Sequence, residues 1–172
     1  MSEKSSVYTS FPIHRVTDVE AINISKINNM IAEFDDFDVL DPLANGHDPS
    51  DRSESNINDI VKDDLVMMEK CDIMVGTYFR PSVGQSMEMF YVNHILKKPV
   101  IMIIHNQDVT GQLMFDRNQH KELTYFGKGM LSPWFLKHAT CVLPMYHIDG
   151  PFHSTKLISS GIIYNKVKEL CN

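Results

Sequence analysis

Two short, almost uninterrupted apolar runs constrain this chain more than any other feature. They are Asp72-Ile73-Met74-Val75-Gly76-Thr77 and Lys98-Pro99-Val100-Ile101-Met102-Ile103-Ile104. Each has strand length and lacks the apolar–polar alternation of a half-exposed strand. Each therefore reads as a strand covered on both faces, as in a parallel sheet. Between them lies one helical segment, 86–97, with Glu88 in its first turn. Strand, helix and strand in that order make a right-handed βαβ unit.

The residues before this unit extend it. A partly apolar run at 7–11 reads as a first strand, which Pro12 stops because it has no N–H to donate. Thr17 and Glu20 spell a T-x-x-E capping box. A helix to about Glu33 follows, with Ile22, Ile24, Ile27, Met30 and Ile31 on its apolar face. Val39-Leu40 continues a brief second strand, closed by Asp41-Pro42. The polar stretch 44–55 is a solvated connector or a lid. Ser55 or Asn56 caps a helix to about Lys70, with an apolar stripe of Ile57, Ile60, Val61, Leu65 and Met68. Asp64 falls on that same stripe, an expensive place for a carboxylate unless it is paired or lines a polar cavity.

The second half is less patterned. Residues 106–130 read as an irregular insertion. A short helix starts at Ser132-Pro133, and a fifth strand at 140–143 is stopped by Pro144. Residues 145–153 read as a turn-rich connector, and Ser154 or Thr155 caps a last helix to about Leu170. The expected architecture is one α/β domain over 1–172. It is flavodoxin-like, a doubly wound Rossmann-like sheet of about five mainly parallel strands with helices on both faces.

Composition narrows the function. A chain of 172 residues, 43% hydrophobic and 22% charged, can bury a core of its own. A net charge of −6 argues against a nucleic-acid surface or an anionic-membrane binder. It leaves room for a small anion held by backbone N–H groups. Cys71, Cys141 and Cys171 are scattered and odd in number, which suits free thiols in a reducing compartment. The start MSEKSSVYTSF has no apolar leader core, and no apolar run is long enough to span a bilayer, so the expected location is cytoplasmic. The eight histidines show no HxxxH or HxH spacing, and no metal or other cofactor is expected.

In open parallel sheets, ligands sit beyond the carboxyl ends of the strands. The first strand exits into His14 and Arg15. The third exits into Arg80-Pro81-Ser82-Val83-Gly84-Gln85-Ser86. That loop is a plain βα turn with a helix cap, or an anion cradle in which free N–H groups and Gly84 let a phosphate approach. Glu88 is a capping glutamate, or a carboxylate kept ionised by the helix dipole for use as a nucleophile. With Asp64 it forms the kind of carboxylate pair that glycosidic chemistry uses.

Asp64-Leu65, Cys71-Asp72-Ile73-Met74-Val75, Pro81-Ser82-Val83-Gly84, Glu88 and Lys98-Pro99-Val100 together resemble the nucleoside 2-deoxyribosyltransferase-like family. Within it they are most similar to the 2′-deoxynucleoside 5′-monophosphate N-hydrolases and the CMP and hydroxymethyl-CMP hydrolases. The resemblance covers about 8–104. It includes the 24 positions from Asp64 to Glu88 and the 6 from Ser82 to Glu88. It implies that Glu88 is the nucleophile, that Asp64 handles the proton of the departing base and that Tyr8 orients the nucleophile. Read without the resemblance, Tyr8 is an ordinary strand aromatic.

The same resemblance implies that Ser82 and Gly84 hold a 5′-phosphate. His14 or Arg15 supplies a cation. Ser132 resembles a serine that reaches the phosphate from a neighbouring subunit, implying a homodimer or higher homo-oligomer. The transferases of the family tend to carry aspartate where Ser82 stands. A serine can donate to phosphate, where a carboxylate would repel it. The implied activity is hydrolysis of a nucleoside 5′-monophosphate through a glycosyl-Glu88 intermediate. The alternatives are base exchange between nucleosides and nucleotide binding without turnover. Gln85-Ser86 departs from the small pair the family commonly has between glycine and glutamate.

Overall fold

The computed structural model describes residues 4–12, 17–48, 51, 53–79, 82–104, 137–149 and 154–172. The expected insertion at 106–130, the short helix expected at Ser132, and the candidate residues His14, Arg15 and Ser132 lie outside these residues.

Five strands form one parallel sheet: β1 (Ser5–Ser10), β2 (Phe37–Leu40), β3 (Ile73–Tyr78), β4 (Val100–Ile104) and β5 (Cys141–Pro144). Their order is β2-β1-β3-β4-β5, the flavodoxin-like order. β3 and β4 are buried along their whole length, as their unbroken apolar runs require. β5 lies at the sheet edge, where Pro144 still pairs with Ile104.

Helices cover both faces. α1 (Asp18–Ala32) and α4 (Ser160–Cys171) lie on one face, where Ile27, Ile31, Ile163 and Val167 pack with Val7, Ile73, Val75, Ile101 and Ile103. α2 (Glu54–Lys70) and α3 (Val83–Phe90) lie on the other, where Met67, Met68 and Met89 pack with Tyr8, Met74 and Met102. This division follows from right-handed crossovers. The chain winds outward from β1 to β2, then reverses to β3, so α1 and α2 fall on opposite faces. The reversal leaves β1 and β3 as neighbours whose following helices lie on opposite faces. That is the topological switch point.

Several expectations are corrected. α2 is capped by Ser53, and of its apolar stripe only Met68 is buried; Ile57, Val61 and Leu65 are exposed. The helix touches the sheet mainly through Met67 and Met68 near its C-terminus. Ile22 of α1 is likewise exposed, while Glu20 and Asn23 are buried. The expected connector at 145–153 contains β6 (Tyr146–Asp149), which pairs antiparallel with β7 (Ser154–Leu157). The last helix therefore begins at Ser160, after Ser159, and not at Ser154 or Thr155.

The helix after β3 also differs from expectation. α3 starts at Val83 with Ser82 as N-cap, and it continues through a π-turn, Tyr91–Ile95. The wider turn closes with the Leu96 N–H donating to the Tyr91 carbonyl. Asn93 points its amide at the Lys98 carbonyl and the Thr140 hydroxyl, tying the turn to the approach of β5.

Candidate active site

Glu88 lies in the second turn of α3, not the first, because the helix begins three residues earlier than its apolar pattern indicates. It is therefore not a capping glutamate. The N3 position belongs to Gln85, whose backbone N–H donates to the Ser82 hydroxyl at 3.4 Å. The helix dipole acts mainly within the first turn, so it does little for Glu88. Burial governs this carboxyl instead. It pushes the pKa of Glu88 up to about 7, opposed by a hydrogen bond from Ser10 and assisted by the charge of Asp64.

The Ser10 hydroxyl donates to Glu88 Oε2 at 2.5 Å, a bond that favours the ionised carboxylate. Ser10 is the last residue of β1. Tyr8 belongs to the core cluster on the α2–α3 side, and the two-residue period of a strand turns Ser10 to that side too. The sheet thus delivers a hydroxyl to the carboxylate from its C-terminal edge.

Tyr8 is fully buried, and its hydroxyl has no hydrogen-bond partner among the described residues. Burial raises its pKa above the ordinary range, and the carboxylates of Glu88 and Asp64 raise it further. The phenol stays protonated and keeps a proton to donate beside both carboxyls. Ser10, rather than Tyr8, makes the hydrogen bond to Glu88.

Asp64, half-buried on α2, has its pKa pushed up to about 6 by burial and by the neighbouring Asp63, with His47 acting the other way. His47 Nε2 lies 2.9 Å from Asp63. The Asp64 charge raises the Glu88 carboxyl, and both carboxylates raise the Tyr8 phenol. Glu88 thus meets the end of β1 through Ser10, with the Asp64 carboxylate and the Tyr8 phenol within electrostatic influence.

Ser82 is fixed by its role as N-cap. Its hydroxyl oxygen accepts from the Gln85 N–H, and its own hydrogen remains available to donate. Its carbonyl accepts from the Ser86 hydroxyl at 2.8 Å. A Cβ built at Gly84 would meet nothing within 4 Å among the described residues. The open space lies at the helix N-terminus, where backbone N–H groups face outward.

Two residues of this arrangement were not singled out from the sequence. Ser10 carries a signal, since it shares the parity of Tyr8 at a strand exit. Gln85 completes an S-x-x-Q pattern with Ser82, but its side chain does not turn back to the cap. It is 2% exposed and donates through Nε2 to the carbonyls of Ser10 and Thr77, both at 3.1 Å.

Among solved structures, the chain is similar to a 2-deoxyribosyltransferase from the psychrotolerant bacterium Bacillus psychrosaccharolyticus. The two share 18% identity and a TM-score of 0.51 over 90% of this chain and 99% of the other. The chain has the nucleoside deoxyribosyltransferase fold. A structure of the CMP N-glycosidase BcmB of Clostridium botulinum aligns at 10% identity and a TM-score of 0.46, over 95% of this chain and 99% of that one. No protein-family model and no curated protein matches the sequence. No helix among the described residues is long and apolar enough to cross a membrane.

Proposed function

We propose that the protein is an N-glycosidase that hydrolyses a nucleoside or deoxynucleoside 5′-monophosphate to free base and sugar 5-phosphate. One observation carries this reading. Glu88 is a half-buried carboxylate at the β1–β3 switch point, held by the Ser10 hydroxyl, with Asp64 and Tyr8 in electrostatic reach. A paired-carboxylate site of this kind suits a retaining glycosidic displacement. The fold shared with a 2-deoxyribosyltransferase is compatible with such a substrate.

The steps follow from the groups present. The ionised Glu88 oxygen attacks the anomeric carbon as the C1′–N bond breaks and its electron pair goes to the base. Asp64, protonated, delivers a proton to the departing base. Water then attacks the anomeric carbon, gives a proton to the Asp64 carboxylate and releases Glu88. The Ser10 hydrogen bond favours the ionised form that attacks. Tyr8, kept neutral by burial, can donate to Glu88 or to a sugar oxygen without adding charge. Ser82 and the α3 N-terminus receive the 5′-phosphate, assisted by His14 or Arg15 and by Ser132 of a neighbouring copy.

That last role requires a homo-oligomer. The α2–α3 face carries exposed apolar side chains at Val61, Leu65, Val83, Met87 and Phe90 suited to a second copy.

The test is incubation with nucleoside 5′-monophosphates, deoxynucleoside 5′-monophosphates and the matching nucleosides, each with and without a second free base. Products are separated by chromatography. Free base and sugar 5-phosphate from the phosphorylated substrates are expected. A new nucleoside in the second-base arm would replace hydrolysis by base exchange. Nucleotide binding with no base released would replace catalysis by sequestration.

A further inference from the structure

Gln85 stands where the sequence departs from the family pattern, and the chemistry above leaves it unused. Its position is unusual for a residue in the first turn of a helix. Instead of facing solvent or returning to the N-cap, its amide reaches across the end of the sheet. Nε2 donates to the Ser10 carbonyl on β1 and to the Thr77 carbonyl on β3, each at 3.1 Å. These strands are neighbours, and their described register ends at Ser10 opposite Gly76.

Two carbonyls facing one end of the amide fix its orientation, because an oxygen there would be repelled by both. Oε1 then faces away, buried and without a partner among the described residues. Gly76 makes room for the crossing. A Cβ there would lie 3.4 Å from Nε2 and 2.4 Å from Met102 Sδ.

The carbonyl that Gln85 holds belongs to the residue whose hydroxyl donates to Glu88. Ser10 is the last strand residue of β1, so the sheet alone holds only one side of it. Gln85 and Glu88 are three apart on one helix, so both ends of the Ser10 contact hang on α3. We propose that Gln85 is a positioning residue that clamps the ends of β1 and β3 and holds the Ser10 hydroxyl on Glu88. The inference rests on the reading of Glu88 as nucleophile, but its physical content, the state of the Glu88 carboxyl, is measurable without turnover.

The groups facing Glu88 are Ser10 and Tyr8 from β1 and Asp64 from α2. Ser10 is the one that favours the ionised form. Replacing Gln85 with methionine removes both amide bonds while nearly conserving volume. Ser10 then loses its alignment, and the Glu88 carboxyl titrates at higher pH.

The experiment follows the side-chain carboxyl of Glu88 by ¹³C NMR through a pH titration of the full chain. The signal is assigned by its loss in Glu88→Gln. Wild type, Gln85→Met, Ser10→Ala and the double variant are compared. The expected result is an upward shift of roughly one pH unit in Gln85→Met and in Ser10→Ala, the scale of a hydrogen bond to a charged group. The double variant shifts no further than Ser10→Ala alone, because Gln85 acts through Ser10. If Gln85→Met does not fold, Gln85→Leu, which also cannot donate, enters the same cycle.

In turnover, kcat should fall by roughly 10- to 100-fold with KM little changed, as for a misaligned nucleophile. An unshifted Glu88 titration in the Gln85 variants, or shifts that add in the double variant, would overturn the clamp. A chain that releases no base from any nucleotide, yet shows the coupled shifts, would overturn the reaction and leave the clamp standing.

Discussion

At the scale of single residues, the site is defined by a conflict between burial and charge. Glu88 titrates near 7 and Asp64 near 6 because both are withdrawn from water. The proposed mechanism uses Glu88 ionised and Asp64 protonated. Base release should follow a bell-shaped profile of kcat/KM with its maximum between about 6 and about 7, and both limbs belong to the coupled pair. A profile flat from acid to alkaline pH would contradict this assignment.

The same burial has a stability consequence. A glutamate whose pKa rises on folding contributes stability that is fully present below its ordinary value of 4.5. That contribution is lost as pH rises through about 7. Glu88→Gln removes the buried charge but still accepts from Ser10. Thermal unfolding should show it more stable than wild type by about 2 kcal/mol at about pH 8, a Tm gain of roughly 4–8 °C. The gain should vanish at about pH 5. Equal Tm values under both conditions would mean that Glu88 is solvated as in water.

At the scale of elements, α3 joins the cap to the chemistry. One helix presents Ser82 at its N-cap, Gln85 at N3 and Glu88 one turn later. Ser82→Asp tests the cap and the anion site together. Aspartate is as good an N-cap as serine, so the fold should persist. Its charge at a 5′-phosphate should lower kcat/KM for the nucleotide by roughly 10- to 100-fold relative to the unphosphorylated nucleoside. Equal losses on both substrates would separate Ser82 from phosphate recognition.

The limits of sequence reading are also clearest at this scale. The apolar runs of β3 and β4 announce buried strands because nothing else in a small domain needs such stretches. Helix starts are less legible. The α3 start is hard to read because Val83 and Gly84 look like loop: Val83 is 79% exposed, and the turn is held by Ser82 rather than by packing. The α2 stripe misled for a related reason. Its periodicity is real, but periodicity does not say which partner covers it, and Ile57, Val61 and Leu65 do not face the sheet.

At the scale of the whole molecule, the strand order brings the ends of β1 and β3 together at the switch point. Alternating strand and helix patterns suffice to anticipate that topology. The β6–β7 pair escaped because Tyr146–Asp149 and Ser154–Leu157 are short and separated by Gly150 and Pro151, which read as a connector. The helices that carry Asp64 and Glu88 are legible in the pattern, although the stripe of α2 and the start of α3 are not. The contacts of Ser10 and Gln85 are not legible, although the parity of Ser10 with Tyr8 is, since they span 78 and 75 positions and exist only once the sheet has closed.

The exposed apolar side chains of α2 and α3 belong to this scale as well. Sedimentation should find a homo-oligomer, and Met87→Asp should shift it toward monomer. A wild-type monomer at working concentration would remove the second copy from the site.

The central claim is that Glu88 carries the sugar. Its most direct measurement is the rate of base release from one cleaved nucleoside 5′-monophosphate by wild type and by Glu88→Gln, at equal concentration of folded protein. Wild type should release base, and the variant should release it at least about 10³-fold more slowly. Comparable release by both proteins would contradict it.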